Sequence, residues 1–152
     1  SANISKLSDL KNKKIMALPY ELDHTSLGVM LNENELTKDN YTLVKHDFKI
    51  DKLINGEVDA MSIFITNQTY ELDKQGFKYN IFNPSDFGIY SYDVELFTSE
   101  QFLEKNPKLV RSFIKATNKG WDYAFKHKEE LVNIIYSKYS QVKSKQALLY
   151  EA

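Results

Sequence analysis

Short apolar runs alternate along this chain with polar segments whose hydrophobic residues recur at helical spacing. Residues 13–18 (KKIMAL) form a run of strand length, and Pro19-Tyr20 breaks it. Over 22–31, Leu27, Met30 and Leu31 share one helical face, with Asp23 and His24 a turn earlier. Residues 32–40 are polar and predict a loop, and 41–44 (YTLV) predict a second strand. A short helix is expected over 50–54, stopped by Asn55-Gly56. Residues 58–65 (VDAMSIFI) predict a third strand. Thr66-Asn67 then cap a helix that reaches Gln75 and stops at Gly76, and 79–82 (YNIF) predict a fourth strand. This alternation predicts a four-stranded, mostly parallel sheet within 13–83, with right-handed crossovers.

The rhythm then changes. Asn83-Pro84-Ser85-Asp86 reads as a turn, and 88–98 (GIYSYDVELFT) as an extended crossing strand. The remainder is helical. Asn106-Pro107 supplies a cap and a first-position proline. Leu109, Phe113, Ala116, Gly120 and Ala124 form one face with Trp121 and Phe125 beside it, and Leu131, Ile135 and Tyr139 face a further helix. A last helix begins near Ser144 and reaches Ala152 with no stop signal, so the chain reads as cut within a domain. With no sheet to cover Phe113, Trp121, Phe125, Ile134 and Ile135, self-association of such a fragment is expected.

Composition narrows the function. The 152 residues carry 20 basic and 21 acidic side chains, a net charge of -1, which argues against a nucleic-acid surface or an anionic-membrane surface. No apolar run approaches membrane-spanning length, and no leader pattern opens the chain. Cysteine is absent, which excludes disulfides, a thiol nucleophile and cysteine-ligated metal. His24, His46 and His127 lack metal-ligand spacing, the five glycines form no phosphate loop, and no serine sits in a nucleophile-elbow pattern. No catalytic residue, metal or cofactor is therefore expected. Asp47 follows a strand as the phospho-acceptor of a receiver domain would, but the first strand leads into Pro19-Tyr20-Glu21 rather than acidic residues. Asp47 reads as a solvated loop carboxylate.

In open α/β sheets ligands sit beyond the carboxyl ends of the strands. Three stretches fall there: 19–24, 65–68, and 86–93 on the crossing strand. They nominate Tyr20, Asp23, Thr66, Asn67, Asp86 and Tyr92 as ligand contacts, with rings to stack and short polar groups to bond a flat small molecule. Each has a structural alternative: Tyr20 as a core ring, Asp23 and Asn67 as helix caps.

Three motifs carry a family likeness. Ser8-Asp9-Leu10-Lys11-Asn12-Lys13-Lys14-Ile15 resembles the start of the second lobe of type II periplasmic binding proteins. Asn55-Gly56-Glu57-Val58-Asp59-Ala60-Met61 resembles a strand of that lobe, and Asn106-Pro107-Lys108-Leu109-Val110-Arg111-Ser112-Phe113 with Lys119-Gly120-Trp121-Asp122-Tyr123-Ala124 resembles one of the family's long helices. The branch resembled is the one that binds thiamine-pyrimidine precursors. Phe64-Ile65-Thr66-Asn67-Gln68 and residues 145–152 resemble versions fused as sensors to histidine kinases or diguanylate cyclases.

The resemblance implies an α/β fold: residues 3–83 as a parallel-sheet ligand-binding lobe, 84–99 as the hinge or crossing strand, and 100–152 as a helical tail belonging to an incomplete first lobe. It implies a periplasmic or extracytoplasmic solute-binding domain whose lobes close on a small, heterocyclic or polar ligand. Its partners would be a fused kinase or cyclase domain, or an ABC permease. The alternative it leaves is a pyrimidine-forming enzyme on the same fold. That branch carries a cysteine-rich motif absent here and needs a catalytic histidine. His46, between Lys45 and Lys49 at a strand end, reads instead as solvated.

Overall fold

Strand β1 (Lys14–Ala17) presents Ile15, Met16 and Ala17 in succession, all buried, as a strand covered on both faces requires. It is the middle strand of a sheet ordered β2-β1-β3, where β2 is Thr42–Lys45 and β3 is Ala60–Met61. Both pairings are parallel, Ile15 facing Leu43 on one side and Ala60 on the other. The computed structural model describes residues 4–92 and 94–152. The chain forms two compact units that divide between residues 92 and 93.

In the first unit the helices follow from local capping. Helix α1 (Pro19–His24) starts on a first-position proline, and the Glu21 carboxylate accepts the Leu18 N–H at 2.9 Å. The apolar pattern over 22–31 predicts one helix, but Thr25 divides it. Its hydroxyl donates to the Glu21 carbonyl at 2.6 Å and accepts the Leu27 N–H at 3.3 Å, closing α1 and opening α2 (Ser26–Glu33). Helix α3 (Asp51–Ile54) and helix α4 (Gln68–Lys74) both end as expected, with Gly56 and Gly76 at φ 71° and 65°. Leu7, Leu10, Ile15, Ala17, Leu22, Met30, Leu31, Leu36 and Tyr41 form the core on one face of the sheet. Met16 points to the opposite face.

Three strand expectations do not hold: of 58–65 only Ala60–Met61 pairs, and two further runs stay out of the sheet. Among the described residues the sheet has three strands: neither 79–82 nor 88–98 joins a ladder. Residues 79–82 are held by side chains instead. Tyr79 donates to Asp73 at 2.7 Å, Asn80 donates to the Ile4 carbonyl at 2.7 Å, and Phe82 packs on the core. A 3-10 helix at Pro84–Phe87 follows, capped by Asn83 Oδ1 and packed against α2. Asp93, within the expected crossing strand, lies outside the described residues.

The second unit contains α5 (Glu100–Lys105), α6 (Pro107–Lys126), α7 (Lys128–Lys138) and α8 (Lys145–Glu151), each packed against the next. Ser99 and Ser144 cap α5 and α8 with their hydroxyls. Asn106 does not cap α6; its amide donates back to the Phe102 carbonyl at 3.2 Å. Pro107 nonetheless starts α6. Leu109, Phe113, Trp121 and Phe125 of α6 are exposed within this unit, and no residue of α6 is buried. No described helix is long and apolar enough to cross a membrane.

Helices α1 and α2 meet closely at Gly28, where an added Cβ would lie 1.9 Å from the Leu22 carbonyl oxygen. Gly28→Ala should therefore destabilise the first unit by about 2 kcal/mol or more. Gly120→Ala, in open space on α6, should be neutral or stabilise by about 0.5–1 kcal/mol. Urea unfolding of the two variants measures the contrast, and equal destabilisation by both substitutions would contradict the packing described.

Candidate functional site

The carboxyl ends of β1, β2 and β3 lie side by side, and one hydrogen-bonded chain joins the segments that leave them. Glu21, on α1 beyond β1, accepts the Ser62 hydroxyl at 2.8 Å with the same carboxylate oxygen that takes the Leu18 N–H. Ser62 follows β3, and its own N–H is bound by the Met16 carbonyl at 2.8 Å. The Ser62 carbonyl meets Nε2 of His46, beyond β2, at 2.8 Å. His46 Nδ1 in turn accepts the Phe48 N–H at 2.8 Å. An N–H pointing at Nδ1 requires a lone pair there, which places the ring proton on Nε2 and makes it the donor to Ser62. His46 is only 5% exposed, so the expectation of a solvated histidine is wrong: burial of an imidazole demands partners for both nitrogens, and the turn supplies them.

Each strand is followed, three residues past its last residue, by an exposed aromatic ring. Tyr20 follows Ala17, Phe48 follows Lys45 and Phe64 follows Met61, at 68%, 62% and 60% exposure. Tyr20 is therefore no core ring; it leans on His24 with ring centroids 4.8 Å apart. The turn after β3 is built from within. Gln68 accepts the Phe64 N–H at 3.0 Å, and the Thr69 hydroxyl donates to the Ile65 carbonyl.

The six nominated residues are distributed unevenly. Tyr20, Thr66 and Asn67 all lie on segments leaving the carboxyl ends of adjacent strands, with Thr66 exposed and Asn67 half-buried. Asn67 holds the N-cap position of α4, yet its side chain makes no capping bond. Asp23 is no cap either. It sits inside α1 and pairs with Lys38 at 2.6 Å, a contact with the loop that feeds the amino end of β2. Asp86 is exposed on the 3-10 helix that packs against α2, and Tyr92 is exposed at the end of the first unit. The structure thus groups Tyr20, Thr66 and Asn67 by strand end and leaves Asp23, Asp86 and Tyr92 elsewhere in the first unit. Glu21, His46, Phe48, Ser62 and Phe64 were not nominated. The repeated aromatic three residues after each strand was the available signal, but it is visible only once strand ends are known.

Charge at the site is local. Hydrogen bonding to Lys38 holds the Asp23 carboxyl below its ordinary range and raises Lys38. Asp47, beyond β2, is lowered by Lys52 at 2.8 Å and by the Lys49 N–H. Among the described residues no three histidine, aspartate or glutamate side chains gather as a metal site.

Residues 1–131 match the sequence family described as NMT1/THI5 like. The chain belongs to that family, and its α/β unit with a parallel sheet agrees with a fragment of the type II binding-protein fold. A curated relative is the formylaminopyrimidine-binding protein of Halalkalibacterium halodurans, 26% identical over 85 residues. That match covers 55% of this chain and 26% of the relative's length, so the chain spans about a quarter of that protein.

The lowered carboxylates set a pH dependence. Their folded values lie below the unfolded ones, so their contribution is complete above about pH 4 and is lost as pH falls through the folded values. Urea midpoints should drop between about pH 6 and about pH 3. Asp47→Asn should make that drop smaller, whereas an unchanged drop would remove Asp47–Lys52 from the acid response.

Proposed function

We propose that the chain is the ligand-binding lobe, with part of a second helical layer, of an extracytoplasmic solute-binding protein that holds a small planar nitrogen heterocycle at the carboxyl edge of its sheet. The observation that carries this reading is the edge itself: exposed aromatic rings beyond each strand, on turns joined by one hydrogen-bonded chain. Such rings stack on a flat heterocycle, and the few convergent polar groups, Thr66, Asn67 and the Glu21 carboxylate, accept from or donate to its rim. A pyrimidine bearing amino substituents fits that chemistry, and the name of the curated relative supports a formylaminopyrimidine in particular.

Asp23, Asp86 and Tyr92 complete the contact set in this proposal. Asp23 would reach a ligand only by leaving Lys38. Residues 84–99 act as the hinge, and a facing lobe closes because ligand binds the closed state more tightly. Residues 100–152 are a helical segment of an incomplete first lobe. Binding proceeds without turnover, since the chain has no cysteine for the family's cysteine-bearing enzymatic branch. The resemblance of 145–152 to sensor forms supports fusion to a kinase or cyclase domain over service to an ABC permease. The sequence that follows residue 152 in the gene distinguishes them.

Calorimetric titration of the full-length protein with a formylaminopyrimidine tests this reading, and saturable one-to-one binding is expected. Asn67→Ala should weaken it by about tenfold, the loss of one polar partner worth about 1–3 kcal/mol, with little change in thermal stability because Asn67 makes no cap bond. Unchanged affinity would return Asn67 to a structural role. Absence of any binding would overturn the ligand class.

A further inference from the structure

Phe48 combines exposure with a backbone φ of 64°, in the left-handed region that large side chains rarely adopt. A conformation of that kind persists where its surroundings over-determine it. Here the holding contact is His46. Its Nδ1 lone pair takes the Phe48 N–H at 2.8 Å, its ring lies 4.8 Å from the Phe48 ring, and its Nε2 proton goes to the Ser62 carbonyl. We propose that Phe48 is a ligand-contacting ring of the carboxyl-edge site and that His46, through an unprotonated Nδ1, is the residue that positions it, so that ligand binding weakens when the imidazole takes up a second proton. This inference rests on the solute-binding reading above.

The chemistry is a single proton uptake. A proton from solvent adds to the Nδ1 lone pair, and the ring becomes a cation with two N–H donors. Nδ1–H then faces the Phe48 N–H, donor against donor, and the bond that sustains the left-handed turn is gone. The Nε2 bond to Ser62 survives, so the effect is directed at Phe48 rather than at the sheet. The charged groups nearby come from three elements. Lys45 and Asp47 flank His46 in the chain. Asp47 binds Lys52 of α3 at 2.8 Å and the Lys49 N–H at 3.1 Å. Glu21 of α1 reaches Ser62 from its other side at 2.8 Å. Asp47 is held below its ordinary range by Lys52. The β3–α4 turn presents neutral groups, Phe64 and Gln68, at its hydrogen-bonded start.

Three variants of the full-length protein test this, with the formylaminopyrimidine titration as readout and thermal unfolding as the check on folding. Phe48→Leu should bind about tenfold more weakly with its melting temperature little changed, because the ring is exposed. His46→Asn keeps a side-chain acceptor for the N–H two residues on but cannot titrate, so whatever affinity it has should change with pH only as the probe's own protonation dictates. His46→Ala should lose about as much affinity as Phe48→Leu. As pH falls the unmodified protein should lose affinity relative to His46→Asn; protonation of the probe itself is common to both and cancels. Ring-nitrogen NMR of the unliganded protein should show His46 protonated on Nε2 at neutral pH. Unchanged binding by Phe48→Leu, matching pH profiles for the unmodified protein and His46→Asn, or a proton on Nδ1 would each overturn the proposal while leaving the solute-binding reading in place. If the unmodified protein takes up no formylaminopyrimidine at any pH, that reading falls and this inference falls with it.

Discussion

Ser62 is the joint on which the carboxyl edge of the sheet depends. Three parallel strands end together there, and each must hand its chain to a turn without leaving buried polar groups unpaired. Ser62 resolves this with three groups. Its N–H pairs with β1 through Met16, its hydroxyl goes to Glu21 on α1, and its carbonyl takes the His46 proton beyond β2. Because β3 ladders through Ala60 and Met61 alone, these bonds extend the β1–β3 association past the last ladder residue. They also set the direction in which each turn leaves, and hence where Tyr20, Phe48 and Phe64 emerge.

The amino end of α1 is tied into the same joint. Glu21 bonds Leu18 and Ser62 with one oxygen, so the carboxylate that caps α1 also locates it against β3. Thr25 then lets α2 turn away, and Gly28 allows it to pass against the Leu22 carbonyl at a distance no other residue would permit. Helix α2 carries Met30 and Leu31 into the core and receives the 3-10 helix at Pro84–Phe87. The second unit is built differently. Its helices pack each against the next in sequence, and the strongly amphipathic α6 keeps its aromatic residues exposed within that unit. A helix of that pattern acquires most of its stability from a surface that covers its apolar face.

Local rules were legible in the sequence wherever the cause is local. The strands at 13–18 and 41–44, the stops at Gly56 and Gly76, and the start at Pro107 follow from run length, glycine freedom and proline geometry, and all appear in the structure. The parallel sheet follows from the alternation of elements, as do Tyr20, Thr66 and Asn67 at its carboxyl edge. Tertiary structure decided what depends on a partner distant in sequence. Residues 79–82 have strand composition but join no ladder, and are held instead through Asp73, the Ile4 carbonyl and the core. Asp23 has cap chemistry but meets Lys38, fifteen residues on, and His46 has the flanking lysines of a solvated histidine but is buried between Ser62 and Phe48. A side chain's role at a strand end is set by which other strand end lies beside it, and that adjacency exists only after the chain has folded.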